Sequence, residues 1–286
     1  MVSLANKSST RPSAPWCSRP TVMGVVNRSA DSFYSSSAGL SEAVDTAAEM
    51  VAAGVDILDI GGEATNPQVD IRNGPNLQKE LDLVVPTIDA FKQRFDVLLS
   101  VDSSKPAVMQ ASIQAGADII NDQHALEAEG ALQVVAESDV SVCLMHFPVG
   151  RQPGSGSAEE LLQTIRADLM KVVGQCRSHG IADERIILDP GFGQGHFAKN
   201  LEENCYLMAH LDKLVDLGFP VLVGWSRKSM IGEILGGLQA SQRLIGSVAA
   251  ALYAVEKGAS IIRVHDVNET VQAIKVCQTI KGFENV

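Results

Sequence analysis

Short aliphatic and β-branched runs recur along this chain, and each is followed by a longer stretch whose apolar residues return at the helical period. The runs lie at 21–26, 55–60, 97–101, 118–120, 141–145, 185–188, 221–224 and 260–264 and are expected to be strands. Helices are expected over 41–53, 78–91, 158–179, 200–217, 242–257 and 268–279, and Pro106 suits the first turn of another. Three strands are announced by one small turn, at Ala53-Gly54-Val55-Asp56, Ala115-Gly116-Ala117-Asp118 and Lys257-Gly258-Ala259-Ser260, where glycine supplies a left-handed helix cap. This alternation predicts an α/β protein, a single (β/α)8 TIM barrel. An open doubly wound sheet is the rival, but no GxGxxG follows the first strand. One domain is expected over 19–286, after a loose polar leader at 1–18, with long βα loops at 28–39, 63–76 and 147–157.

Composition narrows the function more than the fold. With a net charge of −11 over 286 residues, the chain lacks the basic balance that nucleic acid or an anionic membrane would require. The five cysteines (Cys17, Cys143, Cys176, Cys205 and Cys277) are odd in number and scattered, which argues against a disulfide framework or a zinc site. No run approaches the roughly 20 apolar residues of a membrane span, and residues 1–19 lack the apolar stretch of a signal peptide. A cytoplasmic protein is expected.

In such a barrel the chemistry gathers at the C-terminal ends of the strands. The expected ends carry Asn27, Asp59 to Glu63, Asp102, Asn121-Asp122, Met145-His146, Asp189, Ser226 to Ser229, and Arg263 to Asp266. Polar residues resume at any strand end, but acids and amides on some strands and basic groups on others suggest one shared rim. Asp102, Asn121 and Asp189 suit a flat amino-heterocycle, by paired hydrogen bonds like those that read base edges. Lys228, Arg263 and His265 supply positive charge for a phosphate or diphosphate, and Ser229 is placed to open a helix whose first N–H groups face an anion. His265 is otherwise a structural histidine, and His146, with no evident metal partners, is expected to orient rather than ligate. Glu63 is read equally as a general base or a loop anchor. Lys105 is expected at the surface, and Arg227 is expected to point away where Lys228 points in.

These segments resemble the dihydropteroate synthase family. The matching motifs are Met23-Gly24-Val25-Val26-Asn27, Asp31-Ser32-Phe33, Asp59-Ile60-Gly61-Gly62-Glu63, Ser100-Val101-Asp102, Ile120-Asn121-Asp122, Asp189-Pro190-Gly191-Phe192-Gly193, Ser226-Arg227-Lys228-Ser229 and Arg263-Val264-His265-Asp266-Val267. Each motif is weak alone, but the ordered set is specific and runs from about Arg19 to the C-terminus. The resemblance implies a transferase of folate biosynthesis that joins 6-hydroxymethyl-7,8-dihydropterin diphosphate to 4-aminobenzoate. It places the pterin on Asp102, Asn121, Asp189 and Lys228, with Met145 against its face. The diphosphate falls to Asn27, Arg263 and His265, with Mg²⁺ near Asn27, and Thr65, Phe192, Ser229, Pro67 and Phe33 border the aminobenzoate site. The implied order is departure of diphosphate, then attack of the aryl amine on a pterin-methyl cation. A homodimer and sensitivity to sulfonamides are also implied.

The chain departs from the family pattern in places. Ala30 stands in the first loop where proline is usual, and Asn66 and Gln68 stand in the second where arginine and glycine are usual. Gln123 replaces a commonly apolar residue. These changes are expected to spare the pterin and anion contacts and to alter loop closure, aminobenzoate affinity and sulfonamide response, with Arg28 or Arg72 replacing the missing loop charge. Two other functions fit the same barrel: a pterin-dependent methyltransferase, which has no diphosphate to hold, and a non-catalytic pterin-binding paralogue.

Overall fold

The computed structural model describes residues 14–28, 36–62 and 77–283. Eight parallel strands are present: β1 (Thr21–Asn27), β2 (Ile57–Gly61), β3 (Leu98–Asp102), β4 (Ile119–Asp122), β5 (Ser141–Met145), β6 (Ile186–Asp189), β7 (Leu222–Val223) and β8 (Ile261–Val264). They pair in the order β6-β5-β4-β3-β2-β1-β8-β7. A parallel bridge between Leu188 and Val221, with the Leu188 N–H donating to the Pro220 carbonyl at 2.9 Å, joins β6 to β7. Among the described residues this bridge closes the ring.

The helices of the outer layer are α1 (Ser36–Ala52), α2 (Leu77–Lys92), α3 (Pro106–Ala115), α4 (Ala131–Ala136), α5 (Ala158–Ser178), α6 (Leu201–Ala209), α7 (Asp212–Val215), α8 (Ser229–Ile234), α9 (Leu244–Glu256) and α10 (Val267–Lys281). The expected helix over 200–217 is two, because α6 ends at His210, whose ring stacks on Tyr206 and whose Nδ1 lies 2.9 Å from the Tyr206 carbonyl. The expected helix at 242–257 begins later, after a 3-10 turn at Ala240–Gln242. The expected loop over 28–39 gives way to α1 from Ser36. Ser157 and Glu160 close the 147–157 loop with a capping box that starts α5. Among the described residues no helix is long and apolar enough to cross a membrane.

Strand alternation sorts the core into two compartments. Val22, Leu58, Leu99, Ile120, Val142, Ile186, Val221 and Ile262 face outward into the layer between sheet and helices. Met23, Ile57, Ile119, Cys143, Ile187, Leu222 and Ile261 form a second apolar cluster inside the barrel, with Leu98 against it. Trp16, from the 3-10 turn Pro15–Cys17 that precedes β1, packs into this inner cluster and is 6% exposed. The barrel domain therefore takes in residues from Ala14 onward, earlier than the expected boundary at residue 19, because the indole fills the closed end of the barrel; residues 1–13 of the expected leader lie outside the described residues.

Candidate active site

Two residues beyond several of these inward apolar positions, on the same face of the strand, the chemistry changes. Ile57 is followed by Asp59, Leu98 by Ser100 and then Asp102, Ile119 by Asn121, Ile187 by Asp189, and Ile261 by Arg263 and His265, while Cys143 is followed by Met145. One end of the barrel interior is thus apolar and the other polar, a consequence of the period of two along each strand.

At the centre of the polar end stands Arg263. Its Nε donates to Asp59 Oδ2 at 2.7 Å and its Nη2 to Asp102 Oδ2 at 2.8 Å. Asp59 is fully buried and also accepts from Asn121 Nδ2 at 3.3 Å, while its Oδ1 has no partner. Gln123 Nε2 donates to both oxygens of Asp102, at 2.9 and 3.2 Å. Burial lowers the guanidinium's proton affinity, but Asp59 and Asp102 more than offset this, and its pKa stands above its ordinary value. Asp102 is pushed up to about 7, by burial first, with Asp59 adding to the effect and Arg263 opposing it.

The end of β6 brings a third carboxylate to the rim. Asp189 is buried, and its Oδ1 accepts from the Gly191 N–H at 2.7 Å. Gly191 has φ +68°, and a Cβ there would lie 2.2 Å from the His146 carbonyl oxygen, so only glycine fits this turn. Lys228 Nζ donates to the Phe192 carbonyl at 2.5 Å and sits 4.6 Å from the centre of the Phe197 ring. Burial lowers the Lys228 ammonium to about 8, against the pull of Asp189. Asp189 is raised, first by burial, with Lys228 opposing.

The expected site residues divide as follows. Asp102, Asn121, Asp189, Lys228 and Arg263 converge on the polar end, with Met145 5% exposed at the end of β5. Asn27 is exposed at the end of β1. Arg263 is taken up by two carboxylates rather than left bare for an anion, because Asp59 shares the inward face of β2 with Ile57. His265 lies at the rim with Nδ1 3.1 Å from Ser226 Oγ. Packing around its ring, then Arg263 and Arg227, lower the imidazole to about 4. The ring reaches solvent, and lowered in this way the imidazole of the empty site is neutral. Phe192 is 1% exposed and packs edge-on against Trp225, with ring centres 5.7 Å apart. Ser229 is the first residue of α8 and donates to Gln194 Oε1 at 2.6 Å. Arg227 pairs with Asp266, away from Lys228. Lys105 pairs with Glu80 at 2.5 Å. His146 has its ring 3.2 Å from Asp168, and its backbone N–H donates to the Asp189 carbonyl at 2.8 Å. Phe33, Glu63, Thr65, Asn66, Pro67, Gln68 and Arg72 lie outside the described residues, as does Ala30.

Sequence reasoning passed over Asp59, Lys199 and the reach of Gln123. Gln123, one of the departures from the family pattern, donates directly to Asp102. Arg28 is buried where α1 approaches, 3.0 Å from the position a Gly39 Cβ would take, with Glu42 acting on its charge.

A family profile described as pterin binding enzyme matches residues 23–265. A dihydropteroate synthase of Escherichia coli K12 is 42% identical over 274 residues, covering 94% of each chain. The chain belongs to the dihydropteroate synthases. Among solved structures, the synthase of Coxiella burnetii in complex with pteroic acid is 49% identical, with a TM-score of 0.86, covering 93% of this chain and 95% of that one. The Xanthomonas albilineans synthase in complex with 7,8-dihydropteroate is 38% identical, with a TM-score of 0.80 over 92% of this chain and 94% of that one. The synthase fold is therefore shared throughout, and its strand-end motifs coincide here with the polar end of the barrel.

Proposed function

We propose that this transferase joins 6-hydroxymethyl-7,8-dihydropterin diphosphate to 4-aminobenzoate, releasing 7,8-dihydropteroate and diphosphate. What carries the reading is the buried set of Asp59, Asp102, Asn121 and Asp189 around Arg263 and Lys228. Asp102, Asn121 and Asp189 read the ring nitrogens and amino group, Lys228 donates from the β6 side, and Met145 covers the ring face. The carboxylates of Asp59, Asp102 and Asp189 line this floor beside the cations Arg263, Lys228 and Lys199, and they are the groups that positive charge developing on the pterin methylene would meet as its C–O bond to diphosphate breaks. The aminobenzoate nitrogen then forms the new C–N bond and gives up a proton. Thr65 and Ser229 border the aminobenzoate, and His265, neutral when empty, donates to the diphosphate and gains a proton as the anion approaches.

Among the described residues no group of three His, Cys, Asp or Glu is arranged to hold a metal ion. A single carboxamide, Asn27, at the exposed end of β1 nevertheless fits Mg²⁺, which takes few protein ligands when a diphosphate supplies others. Bound there, the ion would neutralise charge on the leaving group. Turnover of the pterin diphosphate with labelled 4-aminobenzoate should yield dihydropteroate with Mg²⁺ and lose it on chelation. Binding without product would hand the chain to the non-catalytic reading. A sulfonamide titration in the same assay tests the altered aminobenzoate loops, and inhibition constants ordinary for the family would end that idea.

A homodimer and a cytoplasmic setting complete the proposal. Leu235, Ile245, Ile280 and Phe283, on or beside α8, α9 and α10, are all exposed, Ile245 to 84%, an apolar surface of the kind buried between subunits. Free thiols at Cys143, Cys176, Cys205 and Cys277 support a reducing compartment. Sedimentation should give twice the 30.4 kDa chain mass, falling to one chain in Ile245→Asp/Ile280→Asp. A wild type already at the mass of one chain would remove the dimer.

A further inference from the structure

Lys199 is one of the largest fully buried side chains of the protein, 1% exposed. Its Nζ donates to the Gly191 carbonyl at 2.7 Å and lies 3.4 Å from the Phe197 carbonyl. Among the described residues no carboxylate is within ion-pair distance of it. A buried ammonium held only by carbonyl dipoles is costly, and an apolar side chain of similar length would fill the space without that cost. Its placement explains what the charge does. Gly191 is gripped at both ends: its N–H by Asp189 Oδ1, and its carbonyl by Lys199. The next carbonyl, that of Phe192, is held by Lys228. The two lysines thus fix successive carbonyls of the turn that aims Asp189 into the pterin site, and Lys199 acts on the Asp189 charge as well.

We propose that Lys199 is a positioning residue for the pterin: its ammonium holds the β6 turn and favours the ionised Asp189 carboxylate that reads the heterocycle. The inference rests on the pterin site described above and adds to it a group that touches no substrate.

Lys199 faces Asp189 on β6, Lys228 before α8, Arg151 in the loop before α5, Glu203 on α6 and His146 after β5. Burial pushes its ammonium down to about 7, with Lys228 and Arg151 lowering it and Asp189 and Glu203 raising it. The charged form is therefore lost as pH rises through neutrality, and pterin affinity should be lost with it. Asp102 and Lys228 titrate in overlapping ranges, so the decisive quantity is the difference between variants.

The test measures KM for the pterin diphosphate and for 4-aminobenzoate from pH 6 to 9 in the wild type, Lys199→Met and Lys199→Arg. In the wild type, KM for the pterin should rise on the order of tenfold across that range, as a charge-assisted bond is lost. Lys199→Met should show the raised value at every pH without that step. Lys199→Arg, charged throughout, should keep the low value to pH 9. KM for aminobenzoate should follow neither change. A Lys199→Met profile that parallels the wild type overturns the proposal, because a merely structural lysine would not remove an ionisation. If Lys199→Met does not fold, the wild type decides by nuclear magnetic resonance of labelled lysine. The Lys199 signal should titrate near neutrality, and saturating pteroic acid should raise its pKa, since a ligand that prefers the charged state must stabilise it. An unchanged pKa overturns the proposal even if the protein lacks synthase activity, so the two readings fail separately.

Discussion

Asp102→Asn should lower kcat/KM for the pterin diphosphate on the order of 10³-fold while leaving the barrel intact. The carboxylate accepts Arg263 Nη2 at 2.8 Å and Gln123 Nε2 at 2.9 Å, and in the proposed reaction it meets both the heterocycle and the positive charge that develops on it. Asparagine keeps the shape and one acceptor oxygen but removes the charge. A charge-assisted contact and part of the stabilisation of the cationic transition state are lost together, each worth about 2–4 kcal/mol in a dry site. Arg263 keeps Asp59, so no cation is stranded and Tm should move by only a few degrees. The pH profile gives a second signature. Asp102 acts as an anion and its pKa is raised, so wild-type kcat/KM should fall as pH drops through that raised value. That acid limb should be absent from Asp102→Asn. A loss under about tenfold, or an acid limb that survives the substitution, would show that another group carries the pterin.

How far the sequence disclosed this site depends on which interaction fixed each residue. Asp102, Asn121 and Asp189 end apolar runs whose alternation sets the side of the sheet they face, so both strand and orientation follow from spacing. Asp59 obeys the same parity through Ile57 and was legible in principle, but at the level of single strand ends it was lost among five candidate residues, Asp59 to Glu63. Lys199 left no such trace. It precedes the Asn200 cap of α6 in an irregular segment, and only the fold brings its long side chain back under Gly191. Gln123 was noticed as a departure, yet its consequence depends on the neighbouring strand: β3 and β4 pair Asp102 with Asn121, which sets Gln123 beside the Asp102 carboxylate. Trp16 was hidden by its setting, the one aromatic residue of a mostly polar leader, and only closure of the barrel gives it a place to bury.

Arg263→Met should destabilise the protein as well as silence it. Arg263 joins carboxylates 43 positions apart in the chain, and its removal strands both inside the barrel. Asp59, fully buried, would keep only Asn121 at 3.3 Å, and Asp102 would keep Gln123. Breaking a buried ion pair from one side costs about 3–5 kcal/mol, and for a chain of this size that corresponds to a Tm lower by on the order of 10 °C. The sign of the pH dependence follows from the groups left behind. Without the guanidinium, burial raises the pKa of Asp102 further above its unfolded value. A group with a raised folded pKa contributes stability that is complete below the unfolded pKa and is lost as pH rises toward the folded one. The Tm deficit of Arg263→Met should therefore be small near pH 5, where the stranded Asp102 carboxylate binds a proton, and should widen toward pH 8. Adding Asp59→Asn should recover part of the loss at pH 8, because it removes a charge that burial penalises. Arg263→Lys should recover less than a retained charge would suggest, since an ammonium lacks the planar fork that reaches both carboxylates. A deficit equal at both pH values would place the cost in lost packing, and the Asp59–Arg263–Asp102 set would then be a structural contact and not the electrostatic centre of the pterin site.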